Sequence, residues 1–373
     1  MKKKVLHIIS SLNDGGAEGV LYKVASYKSC NIVHVVVSMT GSGKYSQLLL
    51  NKGIKVKNLN MDGIVKSLLS FFVLWRYILK EKPFVVQTWM YHADVIGGCA
   101  ARLAGGGNIV WNIRSGEIHA TQKITIKFFI KLSAILSGLI PRSIVSCSNR
   151  AIKIHKKIGY KGNFYLINNG VDLDVFNYAS SKRKKIREEL LVSNSCVLFG
   201  MVARFDPQKD HYNLLQAIKH TDGNYMVALI GFNVDLHNKK LLNWIDRLKI
   251  SHKVILLGQR SDVSDVMCAL DYSVLSSLYG EAFPNVLVES MSVGKPCIST
   301  DVGDSARIIG KYGWIVKSKS PDGLSSAMMS AIKLKTDDEY GYNNLSSNCA
   351  EYVEKEFSLE AMISEYKKVW RVW

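Results

Sequence analysis

Apolar positions along the chain fall into two alternating patterns. Short, nearly uncharged runs such as KVLHIIS at 4–10, VHVVVSM at 33–39, FVVQT at 84–88 and SIVSCS at 143–148 read as buried strands. Further strands are expected over 55–59, 109–113 and 164–167, and in the second half over 197–203, 225–230, 254–257, 272–275 and 296–300. Between them lie stretches read as helices, at 46–52, 64–80, 93–104, 122–140, 149–158, 241–248, 264–270, 285–293 and 359–370, while the densely charged 180–189 reads as a solvated connection or a helix. Strand and helix alternating twice over predicts two doubly wound α/β domains. The first helix opens on the turn Asn13-Asp14-Gly15-Gly16, and glycines after a first strand let backbone N–H groups approach a ligand closely.

Length agrees with that division, since 373 residues exceed one ordinary domain and suit two. No apolar run is long and clean enough to span a bilayer; the longest, 64–79, is interrupted by Lys66 and Arg76. The lysines at positions 2 to 4 precede a strand and no small-residue cleavage site follows, so no signal peptide is expected. Seven scattered cysteines without paired spacing argue for free thiols in a reducing cytoplasm and against a zinc site. Lys plus Arg number 49 against 31 acids, a net charge of +18 that favours anionic partners. No nucleic-acid-binding motif accompanies it. The segment 122–140 spaces Lys123, Lys127 and Lys131 four apart among Ile, Phe and Leu. It reads either as a basic amphipathic helix for a membrane surface or as a core helix with a solvated lysine stripe, and the net charge favours the first. Thr40-Gly41-Ser42-Gly43-Lys44 resembles part of a phosphate-binding loop but lacks its first glycine and its final Ser or Thr. Asp172 and Asp174 mimic a metal-binding pair, but their place in a linker argues against one.

The densest chemistry lies at 279–300, YGEAFPNVLVESMSVGKPCIST. Pro284 stands near the first position of a short helix that Gly294 is placed to end. Glu281 and Glu289 are separated by seven residues, one in the loop and one on the helix. A helix N-terminus attracts phosphate, whereas carboxylates repel it and instead accept hydrogen bonds from hydroxyls. The pair therefore suits a ligand with hydroxyls on either side of a phosphate. Upstream, GMVARFDPQKD sets Arg204 and Lys209 around a loop before a helix, two cations fit for a diphosphate.

These motifs resemble those of the retaining family 4 glycosyltransferases, which have the GT-B fold: two Rossmann-like domains facing across a cleft, with a C-terminal helix crossing back. The resemblance implies an N-terminal acceptor-side domain over 1–176, a nucleotide-sugar domain over 177–356 and the returning helix over 357–373. It implies that Glu281 positions the donor sugar with backbone groups of Ala282, Phe283, Pro284, Asn285 and Val286, and that Glu289 holds the ribose. Arg204 and Lys209 would stabilise the leaving diphosphate, and Gly258 and Arg260 would lie at the base. Gly15 and Gly16 match the family's glycine loop between donor and acceptor. His92, just after a strand at the domain mouth, matches a histidine beside the donor sugar, and Asn13 and Arg114 are acceptor-side candidates. The implied reaction moves a hexose or N-acetylhexosamine from a nucleotide diphosphate, UDP first and GDP second, to a hydroxyl of a lipid-linked saccharide, as in bacterial surface polysaccharide assembly. No metal or other cofactor is expected, and the expected place is the inner face of the cytoplasmic membrane. Rival readings are a sugar-nucleotide epimerase of the same fold and a non-catalytic scaffold. A dinucleotide dehydrogenase would need GxGxxG where the first turn has only Gly-Gly.

Overall fold

Seven strands of the first half form one parallel sheet, whose central strands are largely apolar and buried while the edge strand at 55–58 is mostly polar and only partly buried. The computed structural model describes residues 2–61, 64–116 and 124–372. It divides into two compact units, Met1–Gly170 with Leu359–Trp373, and Val171–Ser358.

In the first unit the chain runs β1 (Lys3–Ile9), α1 (Gly16–Ser26), β2 (Ile32–Ser38), α2 (Lys44–Asn51), β3 (Lys55–Asn58), α3 (Ile64–Glu81), β4 (Val85–Trp89), α4 (Tyr91–Leu103), β5 (Ile109–Ile113), α5 (Ile124–Leu136), β6 (Ser143–Ser146), α6 (Asn149–Lys157) and β7 (Phe164–Leu166). The sheet order is β3-β2-β1-β4-β5-β6-β7, so the winding reverses between β1 and β4. The second unit runs α7 (Ser180–Glu189), β8 (Val197–Val202), a 3-10 turn (Pro207–Lys209), α8 (His211–Lys219), β9 (Tyr225–Ile230), α9 (Lys239–Leu248), β10 (Val254–Gly258), α10 (Val263–Ala269), β11 (Tyr272–Leu275), α11 (Asn285–Ser292), β12 (Cys297–Thr300), α12 (Ser305–Ile309), β13 (Gly313–Val316), α13 (Pro321–Asp337) and α14 (Glu339–Phe357). Its order, β10-β9-β8-β11-β12-β13, reverses between β8 and β11. Ligands of such sheets bind outside the carboxyl ends of the strands at the reversal. Each unit thus has one edge position where chemistry is expected.

The last helix, α15 (Leu359–Trp370), returns to the first unit. There Trp370 is fully buried and donates from Nε1 to Gln87 Oε1 at 2.7 Å, while Tyr366 accepts from Asn112 Nδ2 at 2.8 Å. Residues 171–176, grouped with the first half by sequence, belong to the second unit, where Phe176 packs on Met267, Cys268 and Val293. Of the basic segment 122–140, residues 122 and 123 lie outside the described residues. On α5 the exposed positions include Ile124, Phe128, Lys131 and Ile135, so that face is apolar as well as basic. All seven cysteines are free.

Candidate active site

Three loops meet at the carboxyl ends of β8, β11 and β12, and hydrogen bonds stitch them together. Ser276 Oγ, directly after β11, donates to the carbonyls of Lys209 at 2.9 Å and Asp210 at 3.0 Å. Leu278 N donates to Gln208 O at 2.7 Å. From the end of β12, Thr300 Oγ1 donates to Ser277 O at 2.6 Å. Gly303 has φ +64°, and a Cβ there would stand 2.4 Å from the carbonyl oxygen of Glu281. Only glycine lets the loop after β12 pass this close to Glu281. Asp304 N then donates to Ala282 O at 3.1 Å.

This scaffold brings together two residues 72 positions apart in the chain. Lys209 Nζ lies 2.5 Å from Glu281 Oε1, with side chains only 14% and 10% exposed. The same carboxylate oxygen accepts from Ser277 Oγ at 2.7 Å. A largely desolvated pair of this kind fixes the geometry of both groups. Arg204 is different: its side chain is 55% exposed, its partners among the described residues are Asp206 at 3.2 Å and Gln208 at 3.4 Å, and it stands at the mouth with donors to spare. Next to Lys209, His211 is buried and its pKa is lowered to about 4, by desolvation first and by the lysine's charge second.

The two helix starts that the sequence offers to a phosphate, those of α8 and α11, are capped differently. At α8 the first turn is capped by Asp210, whose carboxylate accepts from Asn213 N at 3.3 Å, and the preceding 3-10 turn is capped by Asp206. Both seats are filled by the chain's own carboxylates. In contrast, α11 begins at Pro284 with no side-chain cap, leaving its positive end for an incoming anion. The helix ends as anticipated, with Gly294 at φ +71°. Glu289 is half-buried on α11. The Phe283 side chain is core, packed on Phe357 at 5.8 Å between ring centroids, so it offers the site backbone only.

Gly258 closes β10 at φ +64° and its carbonyl accepts from Gly231 N at 2.8 Å. Arg260 is engaged by two carboxylates, Glu189 at 2.5 Å and Asp262 at 2.7 Å, which raise its pKa. Its guanidinium is committed within the unit, unlike that of Arg204.

In the first unit the candidates cluster at the reversal between β1 and β4. Asn13 and Gly16 are exposed, and a Cβ on Gly16 would meet nothing within 4 Å. Gly15 is extended, not left-handed, and a Cβ there would meet the carboxylate of Glu18 at the start of α1. Lys44, in the loop that resembles a phosphate-binding one, pairs with Asp14 at 2.9 Å. His92 lies in the first turn of α4, not in a loop, because the chain turns sharply at Met90 (φ +74°). Its half-buried ring stacks on Phe129 at 4.2 Å, and desolvation lowers its pKa. Arg114 is placed otherwise than expected. Its guanidinium donates to Asn169 Oδ1 and, at 3.0 Å, to Tyr366 Oη, over the ring of Trp89. It braces α15 on the sheet. Among the described residues no group of three His, Cys, Asp or Glu side chains could hold a metal ion. Sequence reasoning passes over Ser276, Ser277 and Thr300, which build the loop junction; a Ser-Ser pair at a strand end is the only signal they leave.

Residues 182–355 match the family described as glycosyl transferases group 1. The chain is 26% identical over 322 residues, 82% of its own length and 80% of the other's, to the UDP-Gal:alpha-D-GlcNAc-diphosphoundecaprenol alpha-1,3-galactosyltransferase of Escherichia coli. It is 26% identical over 329 residues, covering 80% and 79%, to the putative glycosyltransferase EpsF of Bacillus subtilis. HepE of Anabaena, solved in complex with UDP, superposes with a TM-score of 0.86 at 20% identity over 99% of this chain and 100% of that one. The match to group 1 glycosyl transferases thus falls on most of the second unit, and the chain as a whole shares the GT-B fold of HepE.

Proposed function

We propose that the chain transfers a hexose or N-acetylhexosamine from a UDP-sugar to a hydroxyl of a lipid-linked saccharide, with retention of anomeric configuration. The observation that carries this reading is the buried Lys209–Glu281 pair beside the uncapped start of α11, with the mostly exposed Arg204 at its edge. In this reading the diphosphate takes the positive end of α11 together with Lys209 and Arg204, which offset the charge that grows on the leaving group. Glu281, oriented by Lys209 and Ser277, accepts hydrogen bonds from the donor sugar, and Glu289 accepts them from the ribose. Gly258 lies near the base. The reaction then needs no metal, since two side-chain cations and a helix end do its electrostatic work. A UDP-linked donor is supported by the donor named for the Escherichia coli relative and by the ligand of HepE, and a lipid-linked acceptor by the diphosphoundecaprenol of that relative.

Peripheral attachment to the inner face of the cytoplasmic membrane is supported by Ile124, Phe128 and Ile135 exposed beside Lys131 on α5. No helix among the described residues is long and apolar enough to cross a membrane. The test is a panel of UDP- and GDP-sugars offered with undecaprenyl-diphosphate-linked saccharides, read by NMR of the product's anomeric proton. A retained configuration from a UDP-sugar is expected. Inversion, or epimerised donor without any transfer, would overturn the reading.

A further inference from the structure

At the opposite, amino edge of the second sheet lies a cavity of about 410 Å³ that the transferase reading leaves unused. Asp271 precedes β11 and Lys295 precedes β12, so each is separated from the loops of the donor site by a four-residue strand, about 13 Å of chain. The cavity is rich in cations. Arg183, Lys295 and Lys335 line it, and Arg187 stands behind. The one carboxylate in its wall is Asp271, and that group is fully spent. It accepts from Arg183 at 2.7 Å, from Arg187 at 3.2 Å and from Leu198 N at 2.8 Å. Glu188 and Glu339 line the adjoining outer groove.

Lys295 carries the argument. It is 4% exposed, yet its ammonium makes no hydrogen bond or ion pair within the described residues. The ring of Tyr178 lies 4.6 Å from Nζ to the centroid. Lys335 is similar, with its Nζ 3.7 Å from the ring of Tyr342 and no ion pair among the described residues. A buried ammonium lacking an anion is costly, and methionine would fill the same space without that cost. The aromatic faces offset only part of it. Burial lowers the pKa of Lys295 to about 7, with the charge of Arg183 adding to the effect. A dianion would meet three cations at once, and hydroxyls of Ser346 and Ser347 are at hand. The volume falls in the range of small-molecule sites, about 300–1,000 Å³.

We propose that this cavity binds a phosphate group, either as the free anion or as the head of a small phosphomonoester, through Lys295, Lys335 and Arg183. The site is separate from the donor site. Calorimetry on the full chain saturated with UDP, in a phosphate-free buffer, tests it with inorganic phosphate in one arm and glucose 6-phosphate in the other. Millimolar or tighter binding is expected in at least one arm. Tighter binding of the ester makes the phosphomonoester the ligand, and equal or tighter binding of phosphate makes it the free anion. Lys295→Met should weaken either by tenfold or more, and Lys335→Gln by several-fold, because each removes a charge-assisted contact. Arg204→Ala should leave this binding unchanged, so the result stands even if the donor site is misassigned. Lys295→Met removes an unpaired charge and should fold; Lys335→Gln, half-buried, gives the same answer if it does not. No binding in either arm, or binding that survives both substitutions, would overturn the proposal.

Discussion

Replacing Lys209 by methionine tests the geometry of the donor site most sharply. In the structure Lys209 and Glu281 are 2.5 Å apart with little exposure, and Ser277 supplies the other hydrogen bond to the carboxylate oxygen. Lys209→Met leaves Glu281 buried without its cation. Breaking one side of a buried pair costs about 3–5 kcal/mol. Here the Ser277 bond remains and the carboxyl can take up a proton, so the lower end, about 3 kcal/mol, is expected. For a unit the size of the second one this is a fall in Tm of about 6–12 °C. Glu281→Gln alone leaves the ammonium near the mouth, where water reaches it, and should cost less. The double variant should recover much of the loss, giving a coupling energy of about 2 kcal/mol in a double-mutant cycle. Urea unfolding of the four proteins at neutral pH measures it. If Lys209→Met leaves stability unchanged and the coupling lies below about 0.5 kcal/mol, the two groups are not a desolvated pair and the assignment fails.

Three further outcomes follow from other contacts. Arg204→Ala should change stability by less than about 0.5 kcal/mol, because the side chain is mostly exposed, but lower the transfer rate by about a hundredfold; unchanged turnover in a folded variant would remove Arg204 from the chemistry. Gly303→Ala forces a Cβ to within 2.4 Å of the Glu281 carbonyl at a left-handed φ, so it should cost about 1–3 kcal/mol and lower activity by displacing Glu281; thermal melts and kcat check both. The pKa of Lys295, lowered to about 7 in the fold against 10.5 for an ordinary lysine, means the unfolded chain holds the proton more tightly between those values. Stability therefore rises with pH from about 7 towards 10.5, by no more than about 5 kcal/mol. In phosphate-free buffer Lys295→Met should abolish that slope, and urea midpoints across the range would expose its absence in the native protein.

Much of the fold is legible in the sequence because most strands are short apolar runs closed by a polar or glycine turn and many helices have their own period, but β3 is mostly polar, and β13, α13 and α14 are not among the elements expected from it. The strand ends are displaced by only a residue or two, as at Lys3–Ile9 and Val85–Trp89. What cannot be read is which strand lies beside which. The order β9-β8-β11 places Lys209 against Glu281, and neither residue signals the other along the chain. Local periodicity also misplaces His92, since a left-handed Met90 starts α4 two residues early. The cap on α8 hides in plain view, because Asp206 and Asp210 read as loop residues until their carboxylates are seen on the N–H groups behind them. Arg114 looks like a site residue at a strand end, and only the return of α15 reveals the Tyr366 hydroxyl that holds it. The charges around Asp271 are scattered over positions 183 to 335 and form a site only once the sheet is closed.

Calorimetric binding of UDP, with and without EDTA, reaches the central claim most directly. The account predicts metal-independent binding that Glu289→Ala abolishes and Arg204→Ala weakens, with GDP bound less well. Binding that requires a divalent cation, or that survives loss of both Glu289 and Arg204, would contradict it.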